Sequence, residues 1–217
     1  TLTRNVWDRG HLHITVAPAF SGPATILYRS GLVITDNVSL DRANPARSAV
    51  IDVRGWRGVV VTGNHDHEAG LSASVGWPEL THRFPTDRVA SAPVVRAGEE
   101  IARVYGIGYP VRDVRSNLAA RFRKEPDAPY AVGLLHANVG GDPSTDNYAP
   151  CTLEDLRASG MDYWALGHVH RHRILLTANP VAVYCGNPQG RDPNEEDARG
   201  CYLVTVDDAG RAHPEFR

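Results

Sequence analysis

Met161-Asp-Tyr-Trp-Ala-Leu-Gly-His-Val-His170 joins a strand-like apolar run to two histidines one residue apart. Tyr163 to Leu166 has the aromatic and aliphatic composition of a buried strand, and Gly167 ends it. In an extended backbone, residues i and i+2 project to the same face, roughly 6–7 Å apart. His168 and His170 would then share a face, and Val169 would point the other way, into a core. Two imidazoles so placed can each grip a metal ion, or two ions lying ~3.5–4 Å apart. An isolated His-x-His is as a rule incidental, because short matches arise by chance. The rest of the chain gives this one its weight.

Two further apolar runs end the same way. Val59-Val-Val-Thr62 is β-branched, as in buried parallel strands, and Gly63-Asn64-His65-Asp66 follows at once. Open α/β sheets place their chemistry in loops at such strand ends. There Asn64 can offer a carbonyl oxygen to a metal, His65 can donate a proton, and Asp66 can orient an imidazole. Taken alone, the same residues make a Gly-Asn turn. Tyr130-Ala-Val-Gly-Leu-Leu-His136 is the third apolar run with a terminal histidine.

Around these runs the chain is readable in parts. Thr152 to Gly160 is signed as a helix leading into the organising strand. Thr152 is its N-cap, Glu154 and Asp155 sit in its first turn, Leu153 and Leu156 face a core, and Gly160 stops it. Ile26–Tyr28, Leu32–Thr35 and Ile101–Ile107 read as strands, and Leu71–Arg88 as a loop-rich connection. Asn117–Lys124 reads as a short basic helix with a solvated face. After His170, strands are expected at Arg173–Thr177, Val181–Cys185 and Cys201–Val206, in an antiparallel part of the sheet. His11-Leu-His13 repeats the spacing, but its flanks suggest no strand, so it reads as a surface pair.

Composition sets the outer bounds. The chain has 217 residues, enough for one sizeable core. No apolar run approaches the ~18 residues of a membrane span. A net charge of −2 argues against a strongly basic nucleic-acid module, though not against a local basic patch. Cys151, Cys185 and Cys201 lack Cys-x-x-Cys spacing and read as reduced thiols, which points to a cytoplasmic protein. The chain begins at Thr1 with neither methionine nor a signal-peptide apolar region, as expected of a trimmed chain or a fragment.

The order and separation of the three histidine-bearing ends resemble the calcineurin-like metallophosphoesterase superfamily. Asn147 to Leu156, Asp162 to His170, Gly186-Asn-Pro-Gln-Gly-Arg191 and Gly200 to Val206 resemble its DNA-repair exonuclease branch, which includes the bacterial SbcD nuclease subunit. The likeness covers about residues 58–217, with 1–57 a segment apart. It implies an α/β fold, an αββα sandwich of two mixed sheets, here incomplete at the N-terminus. It implies a dinuclear divalent-metal site, usually Mn²⁺. By motif, Asn64, His136 and His168 would bind one ion and His170 the other. His65 would stabilise the transition state or protonate the leaving oxygen, with Asp66 behind it. DNA is the implied substrate and an SbcC-like ATPase the implied partner, with a homodimer as a further option. A small-substrate phosphodiesterase and a non-catalytic remnant of the fold are the competing readings.

The likeness departs at the N-terminus. The family opens with Asp-x-His and then Gly-Asp motifs, and residues 1–57 contain neither. Asp36 and His13 are the nearest stand-ins. Hard divalent ions prefer anionic oxygen, so a site of neutral ligands is expected to bind weakly, with one Mn²⁺ rather than two.

Overall fold

The computed structural model describes the backbone of five strands within residues 1–62, and, with side chains, residues 82–111, 113–188 and 195–217. Its centre is a six-stranded mixed sheet. In chain order the strands of the described residues are β1 (Asn5–Asp8), β2 (His11–Thr15), β3 (Arg29–Thr35), β4 (Val50–Asp52), β5 (Trp56–Thr62), β6 (Thr81–His82), β7 (Ala90–Arg96), β8 (Glu99–Gly106), β9 (Ala131–His136), β10 (Tyr163–Gly167), β11 (Arg173–Thr177), β12 (Val181–Tyr184), β13 (Tyr202–Val206) and β14 (Ala212–Phe216). The large sheet runs β11-β12-β10-β9-β8-β7. Its four inner strands are parallel, and β7 and β11 close the edges antiparallel.

Hydrophobic patterning explains this order. All four residues of β12 are buried, as are all of β10 except Ala165. Strands covered on both faces read as continuous apolar runs. Adjacent residues Leu134 and Leu135 of β9 pack into different clusters, as the alternation of a strand requires. Leu135 joins Trp164, Leu166, Tyr184, Phe122 and Leu156. Leu134 joins Val104 and Phe84. The edge strand β7 tolerates Pro93 because an edge residue needs no ladder partner for its nitrogen.

Trp164 anchors the larger cluster. It is fully buried, its indole N–H donates to the Leu156 carbonyl at 3.1 Å, and its ring lies 4.8 Å from that of Phe122. Gly133 is its register partner on β9. A Cβ at Gly133 would come within 2.6 Å of the indole ring, so the large ring requires the small neighbour.

The helix α1 (Leu153–Ala158) matches its sequence signals. Thr152 and Asp155 form a reciprocal capping box, and Gly160 follows the last turn at φ 76°. Its buried Leu156 faces the core, and Asp162 begins the return into β10.

Three expectations are corrected. Asn117–Lys124 is not a helix but a single 3₁₀ turn at Ala119–Arg121. Phe122 is extended at ψ 137° and fully buried, so tertiary packing ends the turn. His11–Leu12–His13 does lie on a strand, β2, paired with β1 and β4. The stretch after His170 is only partly antiparallel: β11 reverses and β13 pairs antiparallel with β14 in a separate two-stranded sheet, but β12 lies beside β10 in parallel. Strands β7 and β14 carry no clear sequence signal. Val59–Thr62 falls within β5, which pairs in parallel with β3 and β6. Ile26–Tyr28 lies outside the described residues. The described residues contain no helix long and apolar enough to cross a membrane.

Candidate metal centre

Register places the first two histidines. His136 ends β9 opposite Gly167, the last residue of β10, and His168 is the next residue along. The two side chains therefore leave the same end of adjacent parallel strands. Nε2 of His136 lies 2.8 Å from Nδ1 of His168, and the rings are 4.5 Å apart.

The backbone at His168 is not extended. Its φ is 96°, a value that L side chains rarely adopt. This overturns the expectation that His168 and His170 share a face as successive i, i+2 positions of a strand. Such a conformation costs about 1–3 kcal/mol and persists only where surrounding contacts fix it. Those contacts are present. His168 is buried, Val169 beneath it is buried in the main core, and the imidazole is held on both nitrogens.

The loop after β9 supplies the second hold. Asn138 is 1% exposed. Its amide donates to the carbonyls of Asp142 and Asp146, and its side-chain oxygen accepts from the Asp142 N–H at 2.6 Å. Gly140 and Gly141, both at positive φ, let the chain turn there. The Asp146 carbonyl is thereby presented to Nε2 of His168 at 2.5 Å, with the Thr145 hydroxyl 3.2 Å away. A carbonyl can only accept, so Nε2 carries the proton and Nδ1 of the neutral ring carries a lone pair toward His136. The base of the loop is pinned from the core. The Tyr184 hydroxyl donates to the Ala137 carbonyl and accepts from the Val139 N–H, each at 2.8 Å, and burial raises its pKa. The Tyr109 hydroxyl donates to the His136 carbonyl at 2.6 Å, with its ring edge-on to the imidazole.

His170 belongs to a second network. Its Nδ1 lies 2.6 Å from Oε1 of Glu195. Oε2 of the same carboxylate accepts from the Asn187 amide at 2.9 Å. Arg199 donates to the Asn187 side-chain oxygen and to the His170 carbonyl, both at 2.6 Å. The turn at Gly186 is tight, since a Cβ there would come within 2.8 Å of the His172 nitrogen.

The nitrogen donors fit a divalent ion. Two imidazole nitrogens on one ion at ~2.1 Å stand ~3 Å apart, close to the His136–His168 spacing. Metal-binding histidines usually donate their other N–H to a carbonyl or carboxylate, as His168 does to Asp146 and His170 can to Glu195. The described residues contain no group of three or more His, Cys, Asp or Glu side chains placed to hold an ion. Asn64, His65, Asp66 and Asp36 lie outside the described residues, as does the side chain of His13.

Glu195, Arg199, Asn138 and Tyr109 carry no sequence signal that singles them out. Glu195 sits in the run Asn194-Glu195-Glu196-Asp197, which reads as solvated charge. Asn187 falls within the Gly186–Arg191 stretch that resembles the exonuclease branch, but the sequence assigns it no role.

A mixed α/β sheet with histidines at the ends of adjacent parallel strands is consistent with a metallophosphoesterase-like fold. No protein-family model matches the chain. Over 147 residues it is 42% identical to the uncharacterized metallophosphoesterase YhaO of Bacillus subtilis (strain 168), covering 68% of this chain and 36% of that protein. Over 170 residues it is 29% identical to the SbcD component of nuclease SbcCD of the same organism, covering 60% of this chain and 41% of that protein. The chain thus spans well under half the length of either relative. These likenesses support the metallophosphoesterase superfamily.

Proposed function

We propose that this chain is a metal-dependent phosphoesterase that hydrolyses phosphodiester bonds in DNA, as a repair exonuclease does. The observation that carries the reading is the 2.8 Å approach of His136 Nε2 to His168 Nδ1 at the end of two parallel strands. Asn64, His136 and His168 would hold one ion and His170 the other, with Mn²⁺ the preferred metal. When bound, divalent ions supply charge neutralisation and water activation for in-line attack on phosphorus. His136 and His168 hold their lone pairs in place through the β9–β10 register and the Asn138-built loop. His65 donates to the oxygen that leaves phosphorus, and Asp66 orients its ring. Residues 58–217 form the phosphoesterase core, and 1–57 is a separate segment.

The DNA substrate is supported by the likeness to a nuclease component. The same likeness supports an SbcC-like ATPase as partner, with homodimerisation a further option, and the three cysteines read as reduced thiols support the cytoplasm as compartment. A non-catalytic remnant of the fold is the second reading, favoured by the absence of the early Asp-x-His and Gly-Asp motifs from residues 1–57.

Mn²⁺ titration by calorimetry, paired with digestion of end-labelled duplex DNA and hydrolysis of bis(p-nitrophenyl) phosphate, tests the proposal. Mn²⁺-dependent release of nucleotides from DNA is the expected result. Hydrolysis of the small ester without digestion of DNA overturns the nuclease assignment. Mn²⁺ binding without hydrolysis of either substrate selects the non-catalytic remnant.

A further inference from the structure

We infer that Glu195 is a positioning residue that fixes the tautomer and orientation of His170 and thereby sets how well His170 binds a divalent ion. The metal half of this inference rests on the site reading just proposed; the tautomer half does not.

The carboxylate of Glu195 is 14% exposed, and the imidazole it meets is 38% exposed. A carboxylate mostly withdrawn from water is costly unless charge and hydrogen bonds compensate it. Here Arg199, itself 13% exposed, brings its Nη1 to 3.9 Å from Oε2, and the Asn187 amide donates to the same oxygen. The two oxygens of Glu195 thus have separate partners. Oε2 ties the carboxylate to the Gly186–Asn187 turn and Arg199. Oε1 meets the histidine ring at 2.6 Å. Structural stapling is satisfied by the Oε2 side alone, since Arg199 and Asn187 also bond each other and the His170 carbonyl. The Oε1 contact acts on the ring.

Its chemical effect follows from the acceptor. An ionised carboxylate has no proton to donate, so Nδ1 of His170 carries the hydrogen. Nε2 of the neutral ring then carries the lone pair. A free neutral imidazole prefers the opposite tautomer, with the proton on Nε2. Glu195 therefore holds His170 in the less common form, with its ligating nitrogen fixed.

The test begins on the metal-free, ¹⁵N-labelled 217-residue chain, at a pH where the ring is neutral. Long-range ¹H–¹⁵N spectra report the tautomer of each histidine, and His170→Gln identifies the signals. His170 is expected as Nδ1–H in the wild type, mainly Nε2–H in Glu195→Ala, and Nδ1–H again in Glu195→Gln, whose amide oxygen still accepts. Mn²⁺ affinity by calorimetry is expected to fall ~10–100-fold in Glu195→Ala and less in Glu195→Gln. An Nε2–H tautomer at His170 in the wild type overturns the inference, whether or not the Glu195 variants fold. Unchanged Mn²⁺ affinity in Glu195→Ala, or affinity lost with the tautomer unchanged, also overturns it. The expected tautomer in a wild-type chain that binds no Mn²⁺ supports Glu195 as the tautomer-setting residue and overturns the metal-site reading instead.

Discussion

Nε2 of His136 and Nδ1 of His168 stand 2.8 Å apart, although 31 residues lie between them in the chain. The proximity follows from one register pair, His136 opposite Gly167, and from the turn that His168 makes immediately afterwards. Because Nε2 of His168 is committed to a carbonyl, the neutral pair has two states. Either His136 donates to His168, or both lone pairs converge on a cation.

In the proposed reading His168 carries a ligand function on a strained backbone, and the two are separable. Both His168→Ala and His168→Gly should lose Mn²⁺ binding and phosphodiester hydrolysis together. Glycine accepts positive φ without penalty. His168→Gly should then be more stable than His168→Ala by about 1 kcal/mol in urea denaturation. Equal stability of the two variants would mean that the backbone relaxes on losing the imidazole.

Gly133 controls the register that brings the site together. Gly133→Ala places a methyl group within 2.6 Å of the fully buried indole of Trp164. Overpacking of this kind costs about 1–3 kcal/mol. The expected result is a lower urea midpoint with an unchanged slope. Perturbed amide resonances should extend along β9 to His136. A midpoint within error of the wild type would show that Trp164 can move aside.

The core strands were legible because their signals are local. β9, β10 and β12 are short apolar runs bounded by turn residues, and α1 carries both of its caps in sequence. That His136 and His168 lie at the ends of strands was legible for the same reason. What escaped was set by tertiary contact. Phe122 buries itself and truncates a helix that its neighbours favour. Glu195 looks like any surface acid until the fold carries it to His170. The positive φ of His168 has no sequence sign, because histidine rarely adopts it.

Acid should loosen the loop that serves His168. Asp142 has its pKa lowered, first by the Ser144 hydroxyl and N–H and then by Arg173 at 2.9 Å. A carboxyl with a depressed folded-state pKa contributes stability that is complete above its unfolded value, ~3.9, and is lost as pH falls through the folded value. Asp142→Asn should therefore lower the melting temperature at neutral pH. The gap from wild type should narrow as pH drops below ~3.9. A gap that stays constant into that range would exclude ionisation of Asp142 as its source.

The proposed chemistry turns on His65, which follows the proposed ligand Asn64 in sequence, shortly after β5. In that reading its imidazole meets phosphate rather than metal, and Asp66 keeps it oriented. A donor to the leaving oxygen acts in the transition state, so its removal costs ~10²–10³ in kcat while sparing ground-state binding. His65→Ala should accordingly retain Mn²⁺ and lose phosphodiester cleavage. His168→Ala should lose both. If His65 is only a turn residue, its loss is nearly silent in both assays. If it is a ligand, calorimetry registers the loss directly. Parallel titrations and DNA digestions on the two variants separate these cases. Full cleavage by His65→Ala would remove His65 from the mechanism while leaving the His136–His168 pair as a metal site.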